Sequence, residues 1–366
     1  MPNINRTFIK IIIVLIIFHT LSAIGVLTLF TNQYKILLSL SIENEAEYFN
    51  IAQGLINGKA IKTIRTIGLP LFFIPFIQLF RAVDIKQILV PVSLFNSLIL
   101  YNISIILVAL IALRLTNSLK IAIFTATSWT FFPWLVYLLV KVKPEYDYAG
   151  LSLGRLICQM FIYPPSDAIS AFIVLLIVFL SIVFLEDKKT IFSFILGISF
   201  AISVLFRPQN IALLLLIASV FIKIKKLKSI FIFVITTLVI FIPQFIYNLA
   251  ISGSIFNIKT VFDFENLTAR EIGYPLPFYS VRSIPYILVS IHQRHTLYIV
   301  TSLGLISIVI VATLIDLYYK SRISFYLLIS WILPYIIIYS LYNGTDHNIL
   351  RFMMPIIPAL LIIVSV

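Results

Sequence analysis

Long apolar runs separated by short polar breaks make up most of this chain, and their lengths predict its elements. Runs near 8–30, 88–113, 119–140, 166–185, 229–250, 296–319, 323–342 and 350–366 are each about 17–25 residues, enough to cross ~30 Å of hydrocarbon as a helix. Two shorter runs, 190–206 and 208–222, are broken by "FRPQN", where Pro208 lacks an N–H and disfavours helix in the residue before it. This pattern predicts ten spans. The run "IGLPLFFIPFIQLF" (67–80) fits none of them. With Pro70 and Pro75 and fourteen residues it reaches only ~21 Å as a helix, so it reads as a re-entrant or interfacial segment that returns to the side it left. The expected fold is an all-α polytopic membrane protein of about ten transmembrane helices, a single domain over 1–366, with amphipathic juxtamembrane helices in its first outer loop.

One polar stretch has its own period. In "SIENEAEYFNIAQGLING" (41–58), Tyr48, Phe49, Ala52, Leu55 and Ile56 fall on one helical face. Glu43, Glu47, Asn50 and Asn57 share the opposite face, and Asn44 with Glu47 three residues on reads as a capping box. Glu45 falls in the middle of the apolar stripe. A carboxylate pointing into protein or lipid is costly unless something pairs or uses it.

Composition supports the membrane class: 61% of residues are hydrophobic and 11% charged, against about half and a quarter in soluble domains. The first 30 residues resemble a signal peptide, but their apolar part is too long and lacks a small-x-small cleavage site, so an uncleaved anchor helix is expected. The single Cys158 excludes an intramolecular disulfide and any multi-cysteine metal site.

A net charge of +13 could indicate nucleic acid, but the basic residues lie in short clusters between apolar runs. That placement points to topology and membrane lipid phosphates instead. With a cytoplasmic N-terminus, the inner loops 1–10, 114–118, 186–189, 223–228 and 320–322 carry twelve Lys and Arg, counting the boundary Lys120, and eleven of the fourteen acids fall on the outer side. Outer loops 31–87, 141–165 and 251–295 then hold most of the chemistry-capable side chains. His19, inside the first run, is expected to make a structural hydrogen bond.

On these motifs the chain resembles the GT-C glycosyltransferases, polytopic enzymes that include aminoarabinose transferases and protein O-mannosyltransferases. "NEAEYFNIAQGLING" resembles the family's first-loop "DEAxYxxIAxxLxxG", and "GLPLFFIPFIQLF" the proline-containing segment after it. "YPPSDAISAFIVLLI", "LFRPQNIALL", "IPQFIYNLAISGSIF" and "HNILRFMMPIIPAL" resemble later family segments in the same order. The resemblance implies a polyprenyl-phosphate sugar donor, a lipid, glycan or protein acceptor, and an active site on the extracytoplasmic face of the plasma membrane or its equivalent. The family's usual catalytic Asp falls on Asn44, and an amide cannot act as a general base. Either Glu45 or Glu43 has taken that role, or the protein is a degenerate member.

Sugar transfer needs a base for the acceptor hydroxyl and cations for the departing phosphate. The candidates are Glu45 for the base, with Glu43 beside it, and Asp167 as a second acid that orients the acceptor or a divalent cation. Ser166 and Asp167 following Pro164-Pro165 also read as a helix cap. The substrate-binding candidates are Asn44, Arg207, Arg351 with His347 beside it, and the Arg282, His292, Arg294 and His295 group. Lys59, Lys62 and Arg65 read as a solvated loop, with contact to lipid phosphates as the alternative. No Walker loop, dinucleotide fingerprint, HExxH or GxSxG motif is present. The alternatives are a transporter or flippase of lipid-linked saccharides and a catalytically inactive homologue.

Overall fold

The computed structural model describes residues 5–29, 45–141, 156–256, 309–340 and 353–366, apart from 62, 64 and 164. Among the described residues the chain is helical, with no strand. The helices are α1 Arg6–Leu29, α2 45–56, α3 Gly68–Phe80, α4 Lys86–Thr116, α5 Leu119–Lys141, α6 Pro165–Asp187, α7 Thr190–Phe206, α8 Leu214–Ile224, α9 Leu227–Ser252, α10 309–320, α11 Arg322–Ser340 and α12 Ile357–Ser365. A 3-10 turn, Pro208–Leu213, leads into α8.

Five of these, α1, α4, α5, α6 and α9, are long and apolar enough to cross a membrane. The expected spans at 190–206, 208–222 and 323–342 are present as shorter apolar helices, while 296–308 and 350–352 lie outside the described residues. Burial agrees with a lipid solvent. α6 is buried along nearly its whole length, whereas α9 exposes Phe231, Val234, Ile235, Leu238, Val239, Ile242, Ile246 and Leu249. A contiguous apolar face of that size has no place in water, and the chain is a membrane protein.

Contacts at the loops sort the bundle into two ends. At one end Arg114 pairs with Glu186, the Lys226 ammonium donates to the Lys188 carbonyl at 2.8 Å, and the Ser324 hydroxyl donates to the Leu115 carbonyl at 2.7 Å. Four of the lysine- and arginine-bearing loops therefore share it. At the other end Arg207 pairs with Asp167, the Tyr247 hydroxyl donates to the Ile61 carbonyl at 2.5 Å, and the Ile67 N–H donates to Gln244 Oε1 at 2.9 Å.

α3 begins and finishes at this second end. Its first residue, Gly68, lies so close to the last turn of α7 that an added Cβ would stand 2.4 Å from the Leu205 carbonyl oxygen. Phe72 packs on Phe206 and Phe95, and Phe76 on Phe95. Just past its C-terminus the Ala82 carbonyl accepts a hydrogen bond from Gln53 of α2 at 3.4 Å. Thirteen residues span about 20 Å, and both ends are tied to the same rim. α4 compensates on the far side of the turn. Its 31 residues measure about 46 Å, longer than a bilayer needs, and they contain Pro91 and a π-helical stretch, Phe95–Tyr101.

Some buried polar groups inside the bundle are satisfied by one another, while others, such as the Asn96 amide and the Ser181 and Ser193 hydroxyls, have no hydrogen-bond partner among the described residues. His19 Nε2 lies 3.1 Å from the Ser97 carbonyl, and its ring stacks on Tyr101 at 3.9 Å, the structural role expected for it. The Tyr101 hydroxyl donates to the Trp129 carbonyl, and the Trp129 indole N–H donates to the Ser104 hydroxyl.

Candidate functional site

The second end of the bundle collects acids, arginines and tyrosines from four separated segments. α2 supplies the first of them. Glu45, Phe49 and Ala52 are buried at one-turn spacing, as the period predicts, and Gly58 at φ 67° follows the helix in the left-handed region. Ile56 departs from the expected face: it is exposed while Ile51 is buried, because Ile51 packs with Ile67 and Tyr247 of the neighbouring rim.

Glu45 is only 3% exposed. The Tyr163 hydroxyl, just before the first turn of α6, donates to its Oε2 at 2.5 Å. A buried carboxylate needs such donors to stay charged. Two residues on, Glu47 accepts from the Thr63 hydroxyl at 2.5 Å and from Arg65 Nε at 3.0 Å. The guanidinium of Arg65 also lies over the Tyr48 ring, 5.5 Å from its centroid. This adds to one expectation and corrects another. Glu47 fastens α2 to the following loop in addition to any capping role, and Arg65 is no solvated loop residue.

Asp167 stands in the first turn of α6, inside the helix rather than at its cap, because the helix already starts at Pro165. Its side chain is 1% exposed and ion-paired with Arg207, and the helix dipole favours a negative charge in that turn. Arg207 sits in extended backbone between α7 and the 3-10 turn, as the proline after it requires. Behind it Asn210 holds three elements together: it donates to the Ser170 hydroxyl at 2.8 Å and the Ser203 carbonyl at 3.0 Å, and accepts from the Tyr335 hydroxyl at 2.8 Å.

Tyr48 links the two halves. Burial pushes its phenol above the usual tyrosine range; Arg65 and Arg207 both pull it down, and Glu45 and Glu47 push it up. One phenol thus feels Glu45 and Arg207 together. Of the candidates from the sequence, the structure brings Glu45, Asp167 and Arg207 into one neighbourhood. Glu43, Asn44, Arg282, His292, Arg294, His295, His347 and Arg351 lie outside the described residues.

Sequence reasoning missed Tyr48, Thr63, Arg65, Tyr163 and Asn210. In the sequence Tyr48 reads as an apolar-face residue and Arg65 as a loop cation, Tyr163 and Asn210 lie unmarked inside longer segments, and Thr63 belongs to no motif. The available signal for Tyr163 is its position two residues before Pro165, where α6 starts. Among the described residues no three His, Cys, Asp or Glu converge as a metal-binding group.

The arrangement offers a buried, hydrogen-bonded carboxylate and a buried ion pair around one phenol, with the Arg65 guanidinium beside that ring. Such a set can take a proton from a hydroxyl and hold a phosphate within one site. No family model, curated protein or solved structure matches the chain.

Proposed function

We propose that the chain is an integral-membrane glycosyltransferase that moves a sugar from a polyprenyl-phosphate donor to a lipid, glycan or protein acceptor. The observation that carries this reading is Glu45, a buried carboxylate at the rim of the bundle, hydrogen-bonded by Tyr163 and sharing the surroundings of Tyr48 with Arg207. In the proposed step Glu45 takes the proton from the acceptor hydroxyl. The acceptor oxygen forms its bond to the anomeric carbon as the bond from that carbon to the phosphate oxygen breaks, and the polyprenyl phosphate leaves with the electron pair. Arg207, oriented by Asp167, and Arg65 are the cations for the negative charge that develops on the leaving phosphate. The active face is the extracytoplasmic one, since the lysine-bearing loops crowd the opposite end.

The test is transfer by the full chain in proteoliposomes supplied with labelled polyprenyl-phosphate sugars. Wild type transfers the label. Glu45→Gln, which keeps the shape and removes the base, loses roughly 10²–10⁴-fold in turnover, and chelator treatment reports whether a divalent cation takes part. Full turnover in both Glu45→Gln and Glu43→Gln removes the assignment of the base. Donor that moves between leaflets with its sugar still attached supports a flippase instead.

A further inference from the structure

The lysine-bearing end of the bundle carries a feature that the transfer reaction does not use. α8 and α9 meet in a tight turn at Lys225, whose φ of 56° is left-handed. Between them runs a groove of about 470 Å³, lined by Leu214, Ile217, Phe221, Ile222, Ile230 and Phe233 among others, with Ala218 and Lys225 also in its lining. α8 is 11 residues long, so the groove runs about 16 Å along the bundle. Its walls are apolar and open to the lipid side: Ile222 is 73% exposed and Leu227 82%.

The charge at its mouth is one-sided. Lys223, Lys225, Lys226 and Lys228 are all exposed within six residues, and Lys188 and Lys189 join them through the Lys226 bond to the Lys188 carbonyl. The acids nearby are engaged: Glu186 pairs with Arg114, and Asp187 lies 4.0 Å from Lys189.

We infer that this groove seats one acyl chain of an anionic phospholipid whose headgroup phosphate is held by the lysines around the α8–α9 turn. A groove in a bilayer is filled by a chain of some lipid, and apolar contact alone gives no preference among lipids. The preference comes from headgroup charge: each lysine near the surface strengthens binding of an anionic headgroup by roughly fivefold, a value that falls as salt rises. The site is independent of the sugar-transfer reading, lying at the other end of the molecule from Glu45.

The experiment is native mass spectrometry of the full chain released from nanodiscs holding equal phosphatidylglycerol and phosphatidylcholine with the same acyl chains. Wild type retains phosphatidylglycerol in excess. Lys225→Asn, chosen because asparagine tolerates the left-handed backbone, combined with Lys223→Gln and Lys228→Gln, loses that excess by at least tenfold while still retaining phosphatidylcholine. Ala218→Phe fills the groove and reduces retention of both lipids. Equal retention of the two lipids by wild type overturns the inference, as does unchanged retention in Ala218→Phe. A shift from dimer to monomer on Ala218→Phe, with lipid unchanged, would assign the groove to a second copy and overturn it as well.

Discussion

At the scale of single residues, the buried ion pair between Asp167 and Arg207 governs how tolerant the site is to change. Removing the guanidinium takes the paired cation away from a carboxylate that is 1% exposed, and breaking a buried ion pair by removing one member costs about 3–5 kcal/mol. Arg207→Gln therefore lowers thermal stability strongly, and the added change Asp167→Asn recovers part of the loss. Thermal melts of the two variants in detergent check this. If the double variant melts no higher than the single one, the pair does not hold the rim together.

Tyr48 gives a pH-dependent counterpart. Its folded pKa lies above the unfolded value because the phenolate would be buried. The folded protein therefore binds more protons than the unfolded chain at alkaline pH, so this contribution is complete below the unfolded pKa and is lost as pH rises through the folded one. Difference absorbance between wild type and Tyr48→Phe follows the titration. Glu45→Gln, which removes an anion that pushes the phenol up, shifts it to lower pH, and Arg65→Ala shifts it to higher pH. Shifts of the opposite sign would separate Tyr48 from both groups.

At the scale of elements, the tightest contact holding α3 is the close approach at Gly68. An alanine at Gly68 drives its methyl carbon into the Leu205 carbonyl, which is backbone and cannot rotate away. Gly68→Ala displaces α3 from α7 and costs about 1–3 kcal/mol by overpacking. Unchanged stability and turnover in this variant would show that α3 is not seated as described. The element scale is also where sequence reading worked best. The period of α2 located Glu45 on the buried stripe, because a helix three turns long leaves little freedom in which face meets the bundle. The fourteen-residue length and two prolines of 67–80 were enough to keep it from being read as a span. What pattern could not supply was partnership. Arg65 looks like any loop cation until the fold brings Glu47 opposite it, and Asn210 looks like part of a turn until Ser170 and Tyr335 arrive from helices 40 and 125 residues away. Such contacts depend on how helices dock, which local periodicity does not encode.

At the scale of the whole molecule, charge and chemistry separate to opposite ends of the bundle. The end of α4 with Arg114, the loops with Lys188 and Lys226 and the start of α11 with Ser324 converge at one end, while α2, both ends of α3, the start of α6 and the turn after α7 converge at the other. The assignment of the second end to the outer face predicts which positions a membrane-impermeant reagent reaches. In a Cys158→Ser background, single cysteines at the exposed positions Asn50 and Pro208, and at Lys188 and Lys225, are labelled with an impermeant maleimide in intact cells and again after permeabilisation. Positions 50 and 208 are predicted to label from outside, and positions 188 and 225 only once the membrane is opened. Labelling of 50 and 208 from different sides would contradict the shared site from which everything proposed here about catalysis follows.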